Sequence, residues 1–507
     1  MGRVAIAAVL AVTACGRLSF DPVTTGDGGP TGDGDGGDVP RSSVAYLKAS
    51  NADPGDEFGE SLAMSRDGTT IAVGAPLEAS GTRAINGDGA NNSAPDAGAV
   101  YVFRRSGDSW TQEAYIKASN ADPADQFGWS VALSGDGNLL VVGARGEDSI
   151  ALSQPTNNAA TDAGAAYVYA RSGSTWTEQG YLKANTLTAG DKFGERVAIS
   201  DDGTTVAVGT PLEDSGATTI NGNGLDDTFT DAGAVYVFAY VGNQWSQVSY
   251  IKPSNTDAGD WFGWRVALSA TGDMLAVSAY REDSNASGVD GNLADDSVTN
   301  TGAVYLFTRA GMTWSPGSYI KASNPNLGDD FGYGLALSSD GTTLVGAAEG
   351  EASGSTTDQA DNSRPSSGAA YVFRSGPWSQ SRYLKATNPG AMDELGYGLA
   401  TSSNGDIVIV GAPFEASNAT GWDGDGANDS AMDAGAAYLY LLEPVPETHY
   451  IKAAQTTAGD QFGWACAMSG TGSVVAVSMP FEDGSGRGIN LPVDEATPDS
   501  GAVYVYY

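Results

Sequence analysis

From Tyr46 to the last residue the chain is one motif written seven times. Each copy opens with Y-I/L-K, reaches a Phe-Gly, passes a tight turn of the Asp-Gly kind and runs through a short apolar strand. It ends in G-A-V/A-Y-V/L-F/Y. The opening tyrosines are Tyr46, Tyr115, Tyr181, Tyr250, Tyr319, Tyr383 and Tyr450, spaced 69, 66, 69, 69, 64 and 67 residues apart. A period of this kind constrains the fold more than any local signal. One unit cannot bury its own apolar face and must stack on its neighbours.

The second copy shows what each unit contains. Y-I-K-A from Tyr115 is a short strand, followed by a polar loop. F-G-W-S-V-A-L-S alternates, with Phe127, Trp129, Val131 and Leu133 expected on one face and small residues on the other. G-D-G-N is a hairpin turn, L-L-V-V-G-A a buried strand, and G-A-A-Y-V-Y a fourth element after a long polar loop. Four short strands joined by hairpin logic, seven times over, predict an all-β chain. The expected form is a seven-bladed β-propeller of four-stranded antiparallel blades. The small-residue strand after Phe-Gly should be innermost and Y-I/L-K outermost. The first Y-L-K has no blade before it, and the last copy ends at Tyr507 with no outer strand after it. The N-terminal strand is therefore expected to complete the last blade, which removes the open edges of an extended array.

The recurring F-G followed by G-A-P resembles the FG-GAP repeat of integrin α-subunit propellers. Gly74-Ala75-Pro76 and Gly411-Ala412-Pro413 match fully and Gly209-Thr210-Pro211 closely. The fourth and fifth copies depart, with S-A-Y and A-A-E, and Leu395 replaces the phenylalanine in the sixth. The resemblance implies seven blades and a ligand-binding face formed by the long loops. It also implies calcium loops, D-x-D/N-x-D-G-x-x-D, between the first two strands of a blade. Here that connection is a tight turn (S-R-D-G, S-G-D-G, S-D-D-G), so those sites do not carry over.

Ahead of the repeats, Arg3, an apolar run from Val4 to Val12 and V-T-A-C ending at Cys15 resemble a bacterial lipoprotein signal. On that reading residues 1–14 are a signal peptide and Cys15 is lipidated. Residues 15–43, rich in Gly, Asp, Pro, Thr and Ser, are then a flexible tether, and residues 44–507 are the propeller. A plain secretory signal is the alternative. The apolar run is too short to span a bilayer. The expected location is the bacterial cell envelope, as an outer-membrane lipoprotein or at the cell surface, with membrane contact through the lipid only.

Charge is one-sided: 62 acidic against 25 basic residues, net -37. Nucleic acid is a poor partner for that field, and divalent cations or a basic partner are better ones. With one histidine, His449, and two cysteines, zinc sites and Ser-His-Asp triads have almost no material. Cys466 reads as a buried small hydrophobe. No catalytic residue is singled out, and the chain is read as a non-enzyme.

The loop entering Phe-Gly and the loop after G-A-P must share one face. Three acidic positions recur there. An Asp stands two residues before Phe-Gly in every copy (Asp56, Asp125, Asp191, Asp260, Asp329, Asp393, Asp460). A Glu follows the second strand in every copy (Glu78, Glu147, Glu213, Glu282, Glu351, Glu415, Glu482). An Asp precedes G-A in five (Asp96, Asp162, Asp231, Asp433, Asp499). Such carboxylates either hold one Ca²⁺ per blade or accept backbone N–H groups that fix a turn. A residue demanded by every blade points to the second role.

The long loops of copies one, three, four and six break the symmetry. Their Asn and Asp residues alternate with glycine, the spacing of hard oxygen donors that suits Ca²⁺. The candidate metal ligands are Asp88, Asn91 and Asp96; Asn223, Asp226 and Asp231; Asp290, Asn292 and Asp295; and Asp423, Asp425, Asn428 and Asp433. A polar loop rich in turn formers is the competing reading. Trp129, Trp264, Tyr333, Tyr397 and Trp464, which follow the Phe-Gly position in five of the copies, sit near the mouth of the ring. They either pack between blades or stack on a sugar. The expectation is a monomeric, calcium-stabilised adhesion protein that binds a protein or glycan ligand on the long-loop face. A polysaccharide-binding lectin is the first alternative and a carbohydrate-active enzyme the second.

Overall fold

The computed structural model describes residues 44–149, 155–491 and 494–507. The lipidation site at Cys15, the signal peptide and the tether lie outside the described residues. Among the described residues, no helix is long and apolar enough to cross a membrane.

Among the described residues, twenty-eight strands form seven four-stranded antiparallel sheets. In the first blade the order from the axis outward is Ser61–Met64, Thr70–Ala75, Ala99–Ser106 and Ser109–Ile116. The strand after Phe-Gly is innermost and Y-I/L-K outermost, as the repeat predicts. Each innermost strand packs on those of both neighbouring blades, and that of blade seven packs on that of blade one, so the ring is closed.

Blade seven takes Cys466–Met468, Val475–Met479 and Ala502–Tyr506 from the C-terminus and Val44–Leu47 from the N-terminal end. Val44 pairs with Tyr506, Ala45 with Val505, Tyr46 with Tyr504 and Leu47 with Val503. Cys466 is buried in its strand.

The two motifs recur because they interlock between blades. The glycine before each third strand, Gly98 in blade one, has φ +79°, a conformation that strains any L side chain. A Cβ there would lie 2.1 Å from the carbonyl oxygen of Phe127 in the next blade. The Phe127 N–H donates to the Ala97 carbonyl at 3.1 Å, closing the clasp. Gly128 in turn rests on Gly74 of the preceding blade, where a Cβ would meet its carbonyl oxygen at 2.0 Å.

One expectation fails. The alternation through Phe127, Trp129, Val131 and Leu133 breaks, because the pairing register shifts between Phe127 and Ser130. The bulge leaves Phe127 between blades, with Val131 and Leu133, and turns Trp129 toward the axis.

At the opposite end, the turns between the first two strands are stitched into a circle of backbone hydrogen bonds. Arg66 N–H donates to Gly135, Gly135 to Asp201, Asp202 to Ala270 and Ala270 to Ser339. Asp340 then donates to Ser403, Ser403 to Gly470 and Gly470 back to Arg66, at 2.8–3.3 Å throughout.

Candidate functional site

The carboxylates common to all copies are engaged by the blade itself. Each recurring Glu is buried and meets the lysine of the outer strand of its own blade. Lys117–Glu78, Lys183–Glu147, Lys252–Glu213, Lys321–Glu282, Lys385–Glu351, Lys452–Glu415 and Lys48–Glu482 all lie within 3.2 Å. In six blades the tyrosine two residues before that lysine donates its hydroxyl to the same carboxylate, as Tyr115 does to Glu78 at 2.8 Å. Tyr181 meets Ser149, whose hydroxyl donates to Glu147. Burial pushes every one of these lysines below its ordinary range, against the pull of its glutamate.

Each recurring Asp accepts the backbone N–H three residues earlier, as Asp125 does from Asp122 at 2.8 Å. The Asp, Asn or Ser before each G-A holds φ between 49° and 56°, a left-handed turn that Asn and Asp tolerate better than most residues. These contacts account for why every copy repeats them.

Burial, and next the neighbouring Glu147, push Asp125 up to about 8, although its backbone hydrogen bond pulls the other way. Its ordinary value is 3.8. Between those two pH values the folded chain holds more protons than the unfolded one, so stability falls as pH rises across the window. Asp125→Asn keeps the acceptor and removes the charge. It should raise the melting temperature at pH 8 and leave it unchanged near pH 4. A shift of one pH unit is worth about 1.4 kcal/mol, so two retained units give about 3 kcal/mol, roughly 3 °C for a chain of this size. Thermal melts of both proteins at the two pH values check this; equal melts at pH 8 refute it.

The long-loop candidates mostly shape their loops. Asp88, Asn223, Asn292 and Asp425 each accept the N–H two residues on, closing an Asx turn. Asp358 of the fifth loop does the same, so this turn extends beyond copies one, three, four and six. Asp290 and Asp423 accept the Tyr319 and Tyr450 N–H groups and bracket the outer strands, and Asp423 also lies 3.1 Å from His449 Nδ1. The Asn91 and Asp226 carbonyls receive Gly81 and Gly216. Asp295 accepts the Ser297 N–H, and Asn428 the Ser430 hydroxyl. Asp96, Asp231 and Asp433 end their loops in the left-handed turn.

The fourth loop differs. Asp295 and Asp296 face Asp257, Asp260 and Glu282 across a cavity of about 380 Å³. Among the described residues, however, no three His, Cys, Asp or Glu side chains converge tightly enough to hold a metal ion.

The stronger break in symmetry is at the axis. A cavity of about 450 Å³ is lined by the residues that follow the Phe-Gly position, three from each blade but the third, which gives Arg196 and Val197. Its lowest ring is apolar and includes Leu62, Val131, Leu335 and Leu399. The middle ring holds Arg196 and Arg265 on one side and Gly334, Gly398 and Ala465 on the other.

The mouth carries an aromatic arc. Trp264 packs on Tyr333 at 5.4 Å, Tyr333 on Tyr397 at 5.1 Å and Tyr397 on Trp464 at 4.4 Å, across four consecutive blades. Trp261, Tyr280, Phe414 and Phe481 extend it outward. The expected packing between blades is therefore present, and the same rings face the cavity. Opposite the arc, Arg145 lies over Trp129 and pairs with Glu195, which also accepts the Trp129 indole N–H at 2.9 Å. Glu60 makes no side-chain hydrogen bond or ion pair among the described residues. Burial pushes its carboxyl up to about 8, against Arg196, Arg145 and Arg265. Burial and Arg196 hold Arg265 down at about 10.

A family model described as the FG-GAP repeat matches residues 42–103, 110–169, 176–238 and 245–307. This is an FG-GAP repeat propeller. The four matches cover the three inner strands of blades one to four, each with the outer strand of the blade before, and the last three copies build the same four-stranded blade. No curated protein matches the chain. Among solved structures, Kuenenia stuttgartiensis Hydrazine Synthase is similar at 13% identity and a TM-score of 0.46, over 84% of this chain and 92% of that chain.

Within the FG-GAP frame, the residues that sequence reading missed are departures from the motif. The proline of G-A-P is replaced by Arg145, Tyr280 and Glu349 in copies two, four and five. All three stand at the axial mouth: Arg145 over Trp129, Tyr280 in the arc, and Glu349 close enough to Arg265 to feel its charge. Burial, with Glu394 and Asp330 nearby, pushes Glu349 up to about 9, and its Oε2 is buried without a partner. The signal was the failure of the motif at one fixed position.

Proposed function

We propose that this FG-GAP propeller is a monomeric, non-enzymatic binding protein of the bacterial cell envelope. It is held by a lipid on Cys15 and engages its ligand at the axial mouth of the long-loop face. The carrying observation is that the seven-fold pattern breaks most sharply there, where an aromatic arc faces arginines and Glu60. Scaffold demands are equal in every blade, so they do not account for an asymmetric mouth. Adhesion is the first reading. A lectin is favoured next, because the aromatic faces line a cavity.

Cells carrying the full chain, a Trp264→Ala/Tyr397→Ala variant, or Asp136→Ala in a short turn of the opposite face should separate the two faces. Adhesion to glycan- or protein-coated surfaces should fall at least ten-fold for the first variant only. Equal adhesion by all three sinks the reading. Cys15→Ser should move the protein out of the membrane fraction.

Calcium belongs to this reading through the fourth loop. Asp257, Asp260, Glu282, Asp295 and Asp296 line one cavity and are the right donor type for Ca²⁺, although among the described residues no three of them converge as a metal site. Added Ca²⁺ at fixed ionic strength should raise the melting temperature of the full chain, and Asp295→Ala/Asp296→Ala should abolish the rise. A melt that ignores Ca²⁺ removes calcium from the reading.

A further inference from the structure

We propose that the axial cavity receives the terminal residue of an acidic glycan, a sugar ring bearing a carboxylate. This rests on the reading that the long-loop face binds a ligand, and it names the chemistry of that ligand.

The argument starts from two arginines. Arg196 and Arg265 come from neighbouring blades and line the same cavity. The Arg265 Nε–H donates to the Tyr333 carbonyl at 2.9 Å, and no carboxylate lies within 4.0 Å of its guanidinium among the described residues. Arg196 gives one N–H to the Glu195 carbonyl at 2.9 Å and comes no nearer than 3.7 Å to the Glu195 carboxylate. Its Nε is buried with no partner. Two largely buried guanidinium groups side by side, packed near the Trp264 and Tyr333 rings and with donors left over, make a site suited to an anion. They stand out in a chain of net charge -37, which among the described residues places no carboxylate within ion-pair distance of Arg265. A planar fork of N–H donors fits a carboxylate oxygen pair.

The rest of the cavity specifies what the carboxylate is attached to. Trp264, Tyr333, Tyr397 and Trp464 rim the cavity, and aromatic faces of this kind suit the C–H face of a pyranose. Gly334 and Gly398 lie beneath them, where a Cβ would strike the carbonyl oxygens of Gly396 and Gly463 in the next blade, so the blades close tightly under the rings. Glu60, with no side-chain hydrogen bond of its own among the described residues, is available to sugar hydroxyls. The volume, about 450 Å³, lies within the range of small-molecule sites, about 300–1,000 Å³. The lining stops above the circle of hydrogen-bonded turns, so a glycan enters end-first from the long-loop face.

Titration calorimetry on the full chain tests this with four probes: D-glucuronate, D-galacturonate, neutral D-glucose, and an acetylated tripeptide with a free C-terminal carboxylate. A uronate should bind at least ten-fold more tightly than glucose. Arg265→Gln should lose at least ten-fold in uronate affinity with no loss of melting temperature, and Arg265→Lys should recover part of the affinity. Glucose binding as tightly as the uronates overturns the proposal, as does Arg265→Gln binding at full strength. The tripeptide binding most tightly overturns the sugar in favour of a peptide end. If no sugar binds while axial variants still lose adhesion, the proposal falls and the binding face stands. If a uronate binds while Arg265→Gln cells adhere normally, the cavity stands and its role in adhesion falls.

Discussion

Lys385→Met should destabilise the fold by about 3–5 kcal/mol, the cost of stranding one partner of a buried ion pair. Lys385 Nζ donates to Glu351 Oε2 at 2.6 Å, to Ser367 Oγ at 2.8 Å and to the Gly368 carbonyl at 2.6 Å. Both side chains of the pair are wholly buried. The variant removes the cation that pairs with Glu351 among the described residues and leaves the Tyr383 hydroxyl and weaker amide donors to carry its charge. Adding Glu351→Gln to Lys385→Met should return part of the loss, because a neutral amide needs no counter-charge. A double-mutant cycle by urea denaturation reads the coupling directly. A single variant costing under about 1 kcal/mol would show that the recurring glutamate is not held as a paired charge.

The repeat made the architecture legible because its period is itself the record of stacking. Blade number, the innermost position of the strand after Phe-Gly and the role of Val44–Leu47 all follow from where copies begin and end. The partner of the recurring glutamate was not legible. A lysine in an alternating strand reads as solvent-facing, and nothing in the spacing of Lys117 and Glu78 says that the intervening strand, Ala99–Ser106, lets the two side chains meet. The interlock was visible as motif and invisible as cause, since Gly98 is required by the backbone of Phe127 in another blade.

At the axis the positions after Phe-Gly were found, but an unbroken alternation was assumed, and a bulge sent Trp129 to the cavity. The loops misled in the opposite sense. Composition set the fifth apart, yet Asp358 closes the same Asx turn as Asp88, because that turn asks for one side-chain oxygen and tolerates varied residues around it.

Deleting residues 44–49 should cost on the order of 10 kcal/mol, roughly 10 °C in melting temperature for a chain of this size, and should drive self-association. Tyr46, Leu47 and Ala49 are buried, and burying one large side chain is worth about 1.5–3 kcal/mol. Lys48 supplies the cation for Glu482, and the Tyr46 hydroxyl donates to the same carboxylate at 2.7 Å. The Tyr46 backbone is also bracketed by Asn490, which accepts its N–H through Oδ1 and donates to its carbonyl, both at 2.9 Å. Without this strand Glu482 loses both donors, and Ala502–Tyr506 becomes a bare edge able to pair with another copy. A synthetic peptide of residues 42–50 should restore both the melt and the monomer, and the same peptide with Lys48→Met should restore neither fully. Calorimetry with light scattering follows both effects. A truncated chain that stays monomeric and melts within about 2 °C of the full chain would show that the ring does not depend on its N-terminal strand.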